Sequence, residues 1–209
     1  MEISQIMIPI LIAEIGFLLY AYFVSLTMLC VTLANIFLIS FFGAMTLTAG
    51  SLSSNIGNLF FPFVLLSQFI TLRKNGKHVA LNNVWIVTGA IIFFSAITSL
   101  MGKDVPPSSI AAGSLCAFIV GQFFFVWFAD KFKSVWMAYG INMIITEILD
   151  SLIFFPIAFS NLPLRTVLFM AISGLVIKSI LGISLIPLAY FLGKKGKTKL
   201  AELKEKKYQ

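Results

Sequence analysis

The sequence predicts an all-α membrane protein, a polytopic bundle of transmembrane helices. Three observations support this fold class: 59% of the 209 residues are hydrophobic, only 11% are charged, and long apolar stretches recur along the chain. Soluble domains carry about 25% charged residues, and about 20 apolar residues are enough for one helix to cross a bilayer. The apolar stretches do not alternate with polar residues as the strands of a membrane barrel do.

Six spans fit the apolar stretches, and most are separated by charged or turn-forming residues. They run Phe17–Ser40, Leu52–Leu72, Leu81–Met101, Ser109–Phe128, Val135–Ile157 and Thr166–Leu192. Residues 6–43 form one long run in which Glu14 is the only charge. Because this run has no strong turn signal, we interpret Met1–Gly16 as an interfacial or tilted extension with Glu14 near the interface. Residues 1–193 then form the transmembrane domain, and residues 194–209 form a basic tail.

The distribution of basic residues predicts the orientation. Twelve of the fifteen Lys and Arg residues lie in loop 73–78, in loop 130–133 and in the tail. Cytoplasmic loops carry the excess of Lys and Arg, and these three regions share one side only if the number of spans is even. Both termini are therefore predicted to be cytoplasmic, in an inner or plasma membrane. The net charge of +7 indicates contact with anionic lipid and not with nucleic acid.

Eight polar side chains lie well inside the predicted spans, and three of them are charged. They are Asn35, Gln68, Gln122, Asn142, Thr146, Glu147, Asp150 and Lys178. Inserting an ionised side chain at the centre of a span costs roughly 2.5–3.5 kcal/mol of free energy, so such residues usually serve a function. For Asn, Gln and Thr, the alternative is hydrogen bonding between helices.

The three charged residues are predicted to meet. Glu147 and Asp150 are three residues apart, so they share one face of span five. Lys178 falls at a similar depth because span six returns across the membrane. An ion pair between Lys178 and one acid lowers the cost of burying both groups, and a second acid remains to meet a ligand or a proton. A purely structural ion pair is the alternative.

Other features of the sequence receive simpler interpretations. Residues Ala44–Asn58 are rich in Gly, Ser, Thr and Asn, and they form either a lid over an external site or a flexible loop. Cys30 and Cys116 lie in apolar segments and are predicted to be small buried residues, with no disulfide or metal implied. Motifs for nucleotide binding or metal-dependent hydrolysis are absent, so the protein is predicted not to be an enzyme and to hold no cofactor.

Four stretches of the sequence resemble the vitamin uptake transporter family, whose characterised branch imports queuosine precursors. Together they run from about Leu33 to Lys195. The stretches are Ala34-Asn35; Phe61–Thr71 continuing to Ala80; Gly121-Gln122 with Trp136–Met143 and Thr146–Phe154; and Lys178 with Pro187 and Tyr190. Asp150 and Phe154 match an Asp followed closely by Phe in the family. The chain departs from the pattern at Phe69 and Phe125, where the family has acids, and at Leu81, where it has an arginine.

The resemblance implies uptake of a 7-deazaguanine, a purine-like small molecule such as queuine or its precursors. A carboxylate at Asp150 can accept hydrogen bonds from the ring N–H and the exocyclic amine of such a ligand. Aromatic side chains can stack on its flat ring, and the candidates are Trp127, Trp136, Tyr139 and Phe154. The predicted substrate-binding residues are Asp150, Glu147, Gln122, Asn142, Asn35 and Lys178.

Three functions remain open from the sequence. The first is a small-molecule carrier, acting alone or as a homo-oligomer. The second is a membrane-embedded substrate-binding subunit that needs a separate ATPase module, which a co-purifying ATPase would indicate. The third is a non-transport scaffold, in which the buried charges only fix the register of the helices.

Overall fold

The computed structural model describes residues 3–23, 28–42, 46–49, 52–100 and 108–193. Within these residues the predicted helical class is confirmed, with one short hairpin as the exception. The helices are α1 (Ile3–Phe23), α2 (Met28–Phe42), α3 (Phe61–Asn75), α4 (Lys77–Leu100), α5 (Ser108–Lys131), α6 (Asn142–Ala158) and α7 (Leu164–Ser184). Strands β1 (Thr46–Ala49) and β2 (Leu52–Asn55) and a 3₁₀ turn, Ile56–Leu59, precede α3, and a π-helical turn, Trp136–Ile141, precedes α6. The predicted basic tail, residues 194–209, lies outside the described residues.

Three helical segments among the described residues are long and apolar enough to cross a membrane. They are Ser109–Lys131, Trp136–Ala158 and Leu164–Ser184, which correspond to the predicted spans four, five and six. The first two pack closely because the contact surface of α5 contains glycine. A Cβ at Gly113 would lie only 3.1 Å from the carbonyl oxygen of Phe154, so a larger side chain would push α5 and α6 apart. Small residues at such contacts are typical of membrane helices.

The first apolar run forms two helices and not one span with an extension. Asn35 in α2 donates a hydrogen bond to Glu14 in α1 over 3.1 Å. If α1 and α2 were one continuous helix, these residues would be about 31 Å apart at 1.5 Å per residue. The two helices therefore pack side by side, and Glu14 lies buried between them, not at the interface as predicted.

Helix α3 runs through the interior of the bundle. Every side chain from Phe61 to Leu72 is buried, and the polar ones, Ser67, Gln68 and Thr71, donate hydrogen bonds to backbone carbonyls. The predicted span began at Leu52, but the helix begins only at Phe61, since Pro62 is tolerated in the first turn of a helix and not further inside. Gly76 ends α3 with φ +90°, which glycine adopts readily, and α4 begins at the next residue.

The stretch Ala44–Asn58 contains a hairpin, not a plain flexible loop. Thr46 pairs with Asn55 and Ala49 with Leu52 in an antiparallel ladder. Strand β2 and the following 3₁₀ turn pack against α7. Non-helical backbone near membrane depth is tolerated only where protein or water covers it, and the contacts with α7 provide such a cover. That the hairpin acts as a lid over an external site stays a prediction.

Helix α7 ends at Ser184, and after a turn at Leu185 residues 186–193 are again helical. Pro187 explains the interruption, because it has no N–H to donate to the carbonyl of Ile183. Tyr22 at the end of α1 donates a hydrogen bond to the carbonyl of Leu192 over 3.2 Å. Lys74 and Arg73 bind the carbonyls of Tyr22 and Phe132. Residues Tyr22, Arg73, Lys74, Lys131 and Leu192 thus mark one end of the bundle, called here the basic end.

The prediction that both cysteines are buried was wrong. Cys30 of α2 and Cys116 of α5 are exposed on outward faces of their helices. In a membrane helix the outward face is as apolar as the inner one, because it meets lipid. An apolar sequence context therefore does not indicate burial.

Candidate functional site

Three charged side chains meet between α6 and α7 near the middle of both helices. Lys178 Nζ lies 2.7 Å from Asp150 Oδ2 and 3.2 Å from Glu147 Oε2. The predicted ion pair is therefore confirmed, and Lys178 binds both acids where the sequence predicted one or the other. We call Glu147, Asp150 and Lys178 the charged triad. With both acids ionised and the lysine protonated, the triad carries a net charge of −1.

The helices position the triad through the spacing of their buried faces. On α6, Glu147 and Asp150 are one turn apart and face α7. On α7, the buried residues include Gly174, Lys178 and Gly182, at intervals of four. At Gly182 the missing side chain makes room for Met143 of α6, whose sulfur would lie 2.5 Å from a Cβ there, so α6 and α7 approach closely beside Lys178. The lysine also sits 4.5 Å from the centre of the Phe61 ring, a favourable distance for a cation above an aromatic face.

The members of the triad differ in exposure. The Glu147 side chain is fully buried, whereas 12% of the Asp150 side chain and 6% of the Lys178 side chain are accessible. Glu147 is therefore the inner counter-ion, and Asp150 lies at the accessible edge.

Several buried polar atoms near this level lack a hydrogen-bond partner. They are Gln122 Nε2 on α5, both carboxylate oxygens of Glu147 and Ser151 Oγ on α6, and Ser173 Oγ on α7. The contact of Glu147 Oε2 with Lys178 is thus an ion pair without a hydrogen bond. Buried polar atoms in native proteins are nearly always paired, so such a group points to bound water or a ligand. Gln122 lies at the depth of the triad, because its neighbour Gly121 faces Thr146, the residue before Glu147. Adjacent residues of a helix point about 100° apart, so this contact fixes the depth of Gln122 and not the direction of its side chain. Ser151 and Ser173 were missed from the sequence, because serine inside a span is common and gives no distinct signal.

Asn142 has its polar atoms engaged elsewhere. Its amide nitrogen donates to the carbonyls of Phe125, over 2.9 Å, and Ala138, over 3.2 Å. Its amide oxygen accepts a hydrogen bond from Thr146 over 3.4 Å. The bond to Phe125 ties α6 to α5, so Asn142 acts as a bridge between helices, and no contact of the described residues joins it to the triad.

Asn35 is not brought to the charged triad by any contact of the described residues. Its amide nitrogen donates to Glu14 and to the carbonyl of Val31, and its amide oxygen is buried without a partner. The pair Glu14–Asn35 is thus a second polar centre, at the contact between α1 and α2. This second centre could not be inferred from the sequence, because residues 6–43 form one apolar run without a strong turn signal.

The aromatic side chains suggested for stacking occupy different surroundings. Trp127 and Trp136 are about half exposed on the outside of the bundle. Tyr139 is fully buried and packs against Phe69 and Phe125, with ring centres 5.5 Å and 6.4 Å away. Two of the three positions at which the chain departs from the family pattern, Phe69 and Phe125, therefore pack against one tyrosine. The aromatic ring that contacts the triad is Phe61, which the sequence analysis did not select.

Two further features carry no site chemistry. An apolar groove between α4 and α5 is lined by Ile91, Ile92, Ala111, Ala112 and Leu115, none of which is a predicted site residue. Within the part of the chain that the structure describes, no three His, Cys, Asp or Glu side chains are grouped as metal ligands.

Membrane-length helices around a buried charged triad define a helical membrane protein with a polar centre inside the bundle. The chain belongs to the vitamin uptake transporter family: the family model described as "Putative vitamin uptake transporter" matches residues 55–192, about two thirds of the sequence. Membership implies a small-molecule substrate and a transport role rather than catalysis. No curated protein sequence and no solved structure matches the chain significantly.

Proposed function

We propose that this chain is a membrane transporter that imports a small planar molecule of the 7-deazaguanine type, a queuosine precursor. The observation that carries the proposal is the position of Asp150, a buried acid at the accessible edge of the charged triad. The family supplies the transport role, and the hydrogen-bonding chemistry of the triad supports the ligand class.

The two acids of the triad have different roles in this proposal: Glu147 is the counter-ion of Lys178, and Asp150 binds the ligand. Glu147 is fully enclosed and stays paired with Lys178, so the ammonium keeps a counter-ion when a ligand arrives. Asp150 can then turn its carboxylate toward the ligand. Two neighbouring N–H donors on a guanine-like edge suit a carboxylate, which accepts hydrogen bonds on both oxygens.

Neighbouring side chains add contacts that suit the same ligand. Gln122 Nε2 is a buried donor without a partner, and it matches a carbonyl oxygen on a purine-like ring. Phe61 presents an aromatic face beside Lys178, on which a flat ring can stack. Gln122, Asn142 and Asn35 are supporting residues in this proposal, with Asn142 holding α5 against α6 and Asn35 acting from the contact with α1.

We place the basic end of the bundle in the cytoplasm, as its lysines and arginines favour. The six-span prediction gave no crossing to α1. Since α1 ends at the basic end, where Tyr22 contacts Leu192, and packs along α2, its start points to the opposite side. This arrangement favours seven crossings with an external N-terminus. A single cysteine introduced at Asn75 should react with an impermeant thiol reagent only after permeabilisation, and labelling in intact cells would contradict the placement.

The test of function is uptake of labelled queuine by cells expressing the chain. The Asp150→Asn variant replaces one acceptor by a donor that faces the ligand's own donors. Losing a bond and leaving an unpaired group costs about 1–3 kcal/mol, or roughly 5- to 150-fold in affinity. The matched control is Asp130→Asn, because Asp130 is an acid in a half-exposed ion pair with Lys77 and lies away from the triad.

Three outcomes separate the functions. Uptake that falls in Asp150→Asn and persists in Asp130→Asn supports the proposal. Uptake of queuine that is equal in both variants removes Asp150 from the site. Uptake that requires a co-purifying ATPase indicates the substrate-binding subunit of a larger transporter.

A further inference from the structure

Glu14 occupies a position that the family match does not cover, since the match begins at residue 55. It lies near the midpoint of α1 and is only 7% exposed. Buried positions recur along one face of α1, at Glu14, Leu18, Ala21 and Tyr22, while Ile12 and Ile15 point outward. An acid on the inner face of an apolar helix is a candidate functional group by its placement.

The partner of Glu14 is a neutral amide. Asn35 Nδ2 donates to Glu14 Oε2 over 3.1 Å and to the carbonyl of Val31 over 2.9 Å. Asn35 Oδ1, in contrast, is fully buried and has no hydrogen-bond partner. The amide thus has its donor satisfied and its acceptor unsatisfied next to a carboxyl group.

The unsatisfied acceptor distinguishes the two protonation states of Glu14. An ionised carboxylate only accepts hydrogen bonds, so it can do nothing for Asn35 Oδ1. A protonated carboxyl group has one O–H to donate and retains an acceptor oxygen. It can therefore form two hydrogen bonds with the amide, and the buried oxygen is then satisfied.

We propose that Glu14 and Asn35 form a proton-binding site, and that the proton it takes up on one side of the membrane and releases on the other drives transport. The carboxylate binds one proton to become a carboxylic acid, and deprotonation reverses this step. The coupling role rests on the proposed transport function, whereas binding of the proton at Glu14 does not.

No cation among the described residues forms an ion pair with Glu14, so within these residues a proton is the means of neutralising its carboxylate. Within the described residues, the ion pairs involve Lys77 with Asp130, and Lys178 with its two acids, and none involves Glu14. The nearest cation identified along α1 is Lys74 of α3, which contacts the ring and carbonyl of Tyr22. Tyr22 is eight residues from Glu14, or about 12 Å along the helix.

The other titratable groups on the packed elements are also apart from the pair. On α2 the titratable residue is Cys30, which faces outward. On α1, Tyr20 is exposed. At the basic end, α1 also contacts the carbonyl of Leu192 through Tyr22, and that acceptor does not titrate.

The site lies closer to the basic end than the triad does. Tyr22 and Leu192 are in contact and mark a common level. Glu14 is eight residues from that level, or about 12 Å along α1, and Lys178 is fourteen residues from it, beyond the turn at Leu185. Glu14 is therefore the buried acid nearer to the basic end.

The test uses the purified chain in liposomes with labelled queuine as the probe. With the external pH one unit below the internal pH, queuine should accumulate inside by up to about tenfold if one proton moves with each substrate molecule. A tenfold proton gradient and a tenfold substrate gradient correspond to the same free energy. Glu14→Gln should abolish this accumulation yet keep exchange of internal for external queuine, which needs no net proton movement. Glutamine supplies both a donor and an acceptor to Asn35, so it reproduces the protonated state and should fold.

The outcomes decide the proposal in each case. Three results would overturn the proposal: accumulation that persists in Glu14→Gln, loss of exchange together with accumulation in that variant, or accumulation that follows a sodium gradient.

If the wild-type chain does not move queuine, the substrate proposal fails alone, and infrared difference spectra on a change of pH still test the site. The carbonyl stretch of a protonated carboxyl group should then be lost in Glu14→Gln and kept in Asp150→Asn. A band unchanged by Glu14→Gln would refute proton binding there.

Discussion

The charged triad and the Glu14–Asn35 pair both hold acids between neighbouring helices, yet they balance the acid in different ways. In the triad an ammonium group lies 2.7 Å and 3.2 Å from two carboxylates. In the pair a neutral amide donates one hydrogen bond to a single carboxyl group. The triad stores fixed charge of both signs, whereas the pair can hold its acid with or without a proton.

The difference separates two tasks of a carrier. A fixed charged centre offers hydrogen-bond acceptors of constant strength, which suits recognition of a ligand that carries donors. An acid facing a neutral amide can change its charge at low cost to its partner, which suits a group that takes up and releases a proton. Removal of one partner should therefore have unequal effects in the two places.

The largest effect is expected for Lys178→Met. This change leaves two buried acids without a cation, and breaking a buried ion pair from one side costs about 3–5 kcal/mol of stability. Chemical or thermal unfolding in detergent measures the loss. Adding Asp150→Asn or Glu147→Gln to Lys178→Met should recover part of it, because one uncompensated charge is removed.

Lys77→Met provides the matched control for that measurement. Lys77 pairs with Asp130 over 3.4 Å, with about 40% of both side chains exposed, and such pairs contribute about 0–1 kcal/mol. If Lys178→Met is as mild as Lys77→Met, or if neither double variant recovers stability, the triad does not act as a charged unit.

A smaller effect is expected for Asn35→Leu. The substitution removes the donor to Glu14, and an unpaired buried group costs about 1–3 kcal/mol. Combining it with Glu14→Leu should be nearly neutral, because replacing both partners by apolar groups leaves nothing unsatisfied. The same unfolding assay measures both variants. A loss for Asn35→Leu that equals the loss for Lys178→Met would mean that Glu14 is held ionised, and the contrast between the two centres would disappear.

The charged triad could be predicted from the sequence but the Glu14–Asn35 pair could not. The reason is that turn-forming residues separate α6 from α7, whereas the sequence between α1 and α2 has no such signal. Partners in a helical hairpin lie at equal distances from the turn that joins the helices. Glu147 and Lys178 are placed almost evenly about Ser160–Pro163, where Asn, Pro and Ser give a clear signal. Glu14 and Asn35 belong to helices that are separated in sequence by residues 24–27, which contain no charge, glycine or proline. Their contact could not be inferred without knowing where the chain turns back.

Burial in this protein was also difficult to infer from sequence, because lipid and core both favour apolar side chains. Cys30, Cys116, Trp127 and Trp136 all lie in apolar segments and all face outward. Polar residues were the better guide. Asn35, Gln122, Asn142, Glu147, Asp150 and Lys178 were chosen as polar groups in apolar surroundings, and every one of them is buried.

The π-helical turn Trp136–Ile141 sets the phase of the helix that carries both acids. A π turn holds one more residue than an α turn, and one residue corresponds to a rotation of about 100° around the helix axis. Tyr139 is buried within the turn, and Glu147 and Asp150 follow it in the same helical segment, so the turn offsets the buried face at Tyr139 from the face that carries the acids. Deleting one residue from the turn would change the angle between Tyr139 and the two acids by about 100°. The aromatic contacts of Tyr139 and the ion pairs of Lys178 could then not both be kept, so the charged centre and its aromatic neighbours depend on the same extra residue.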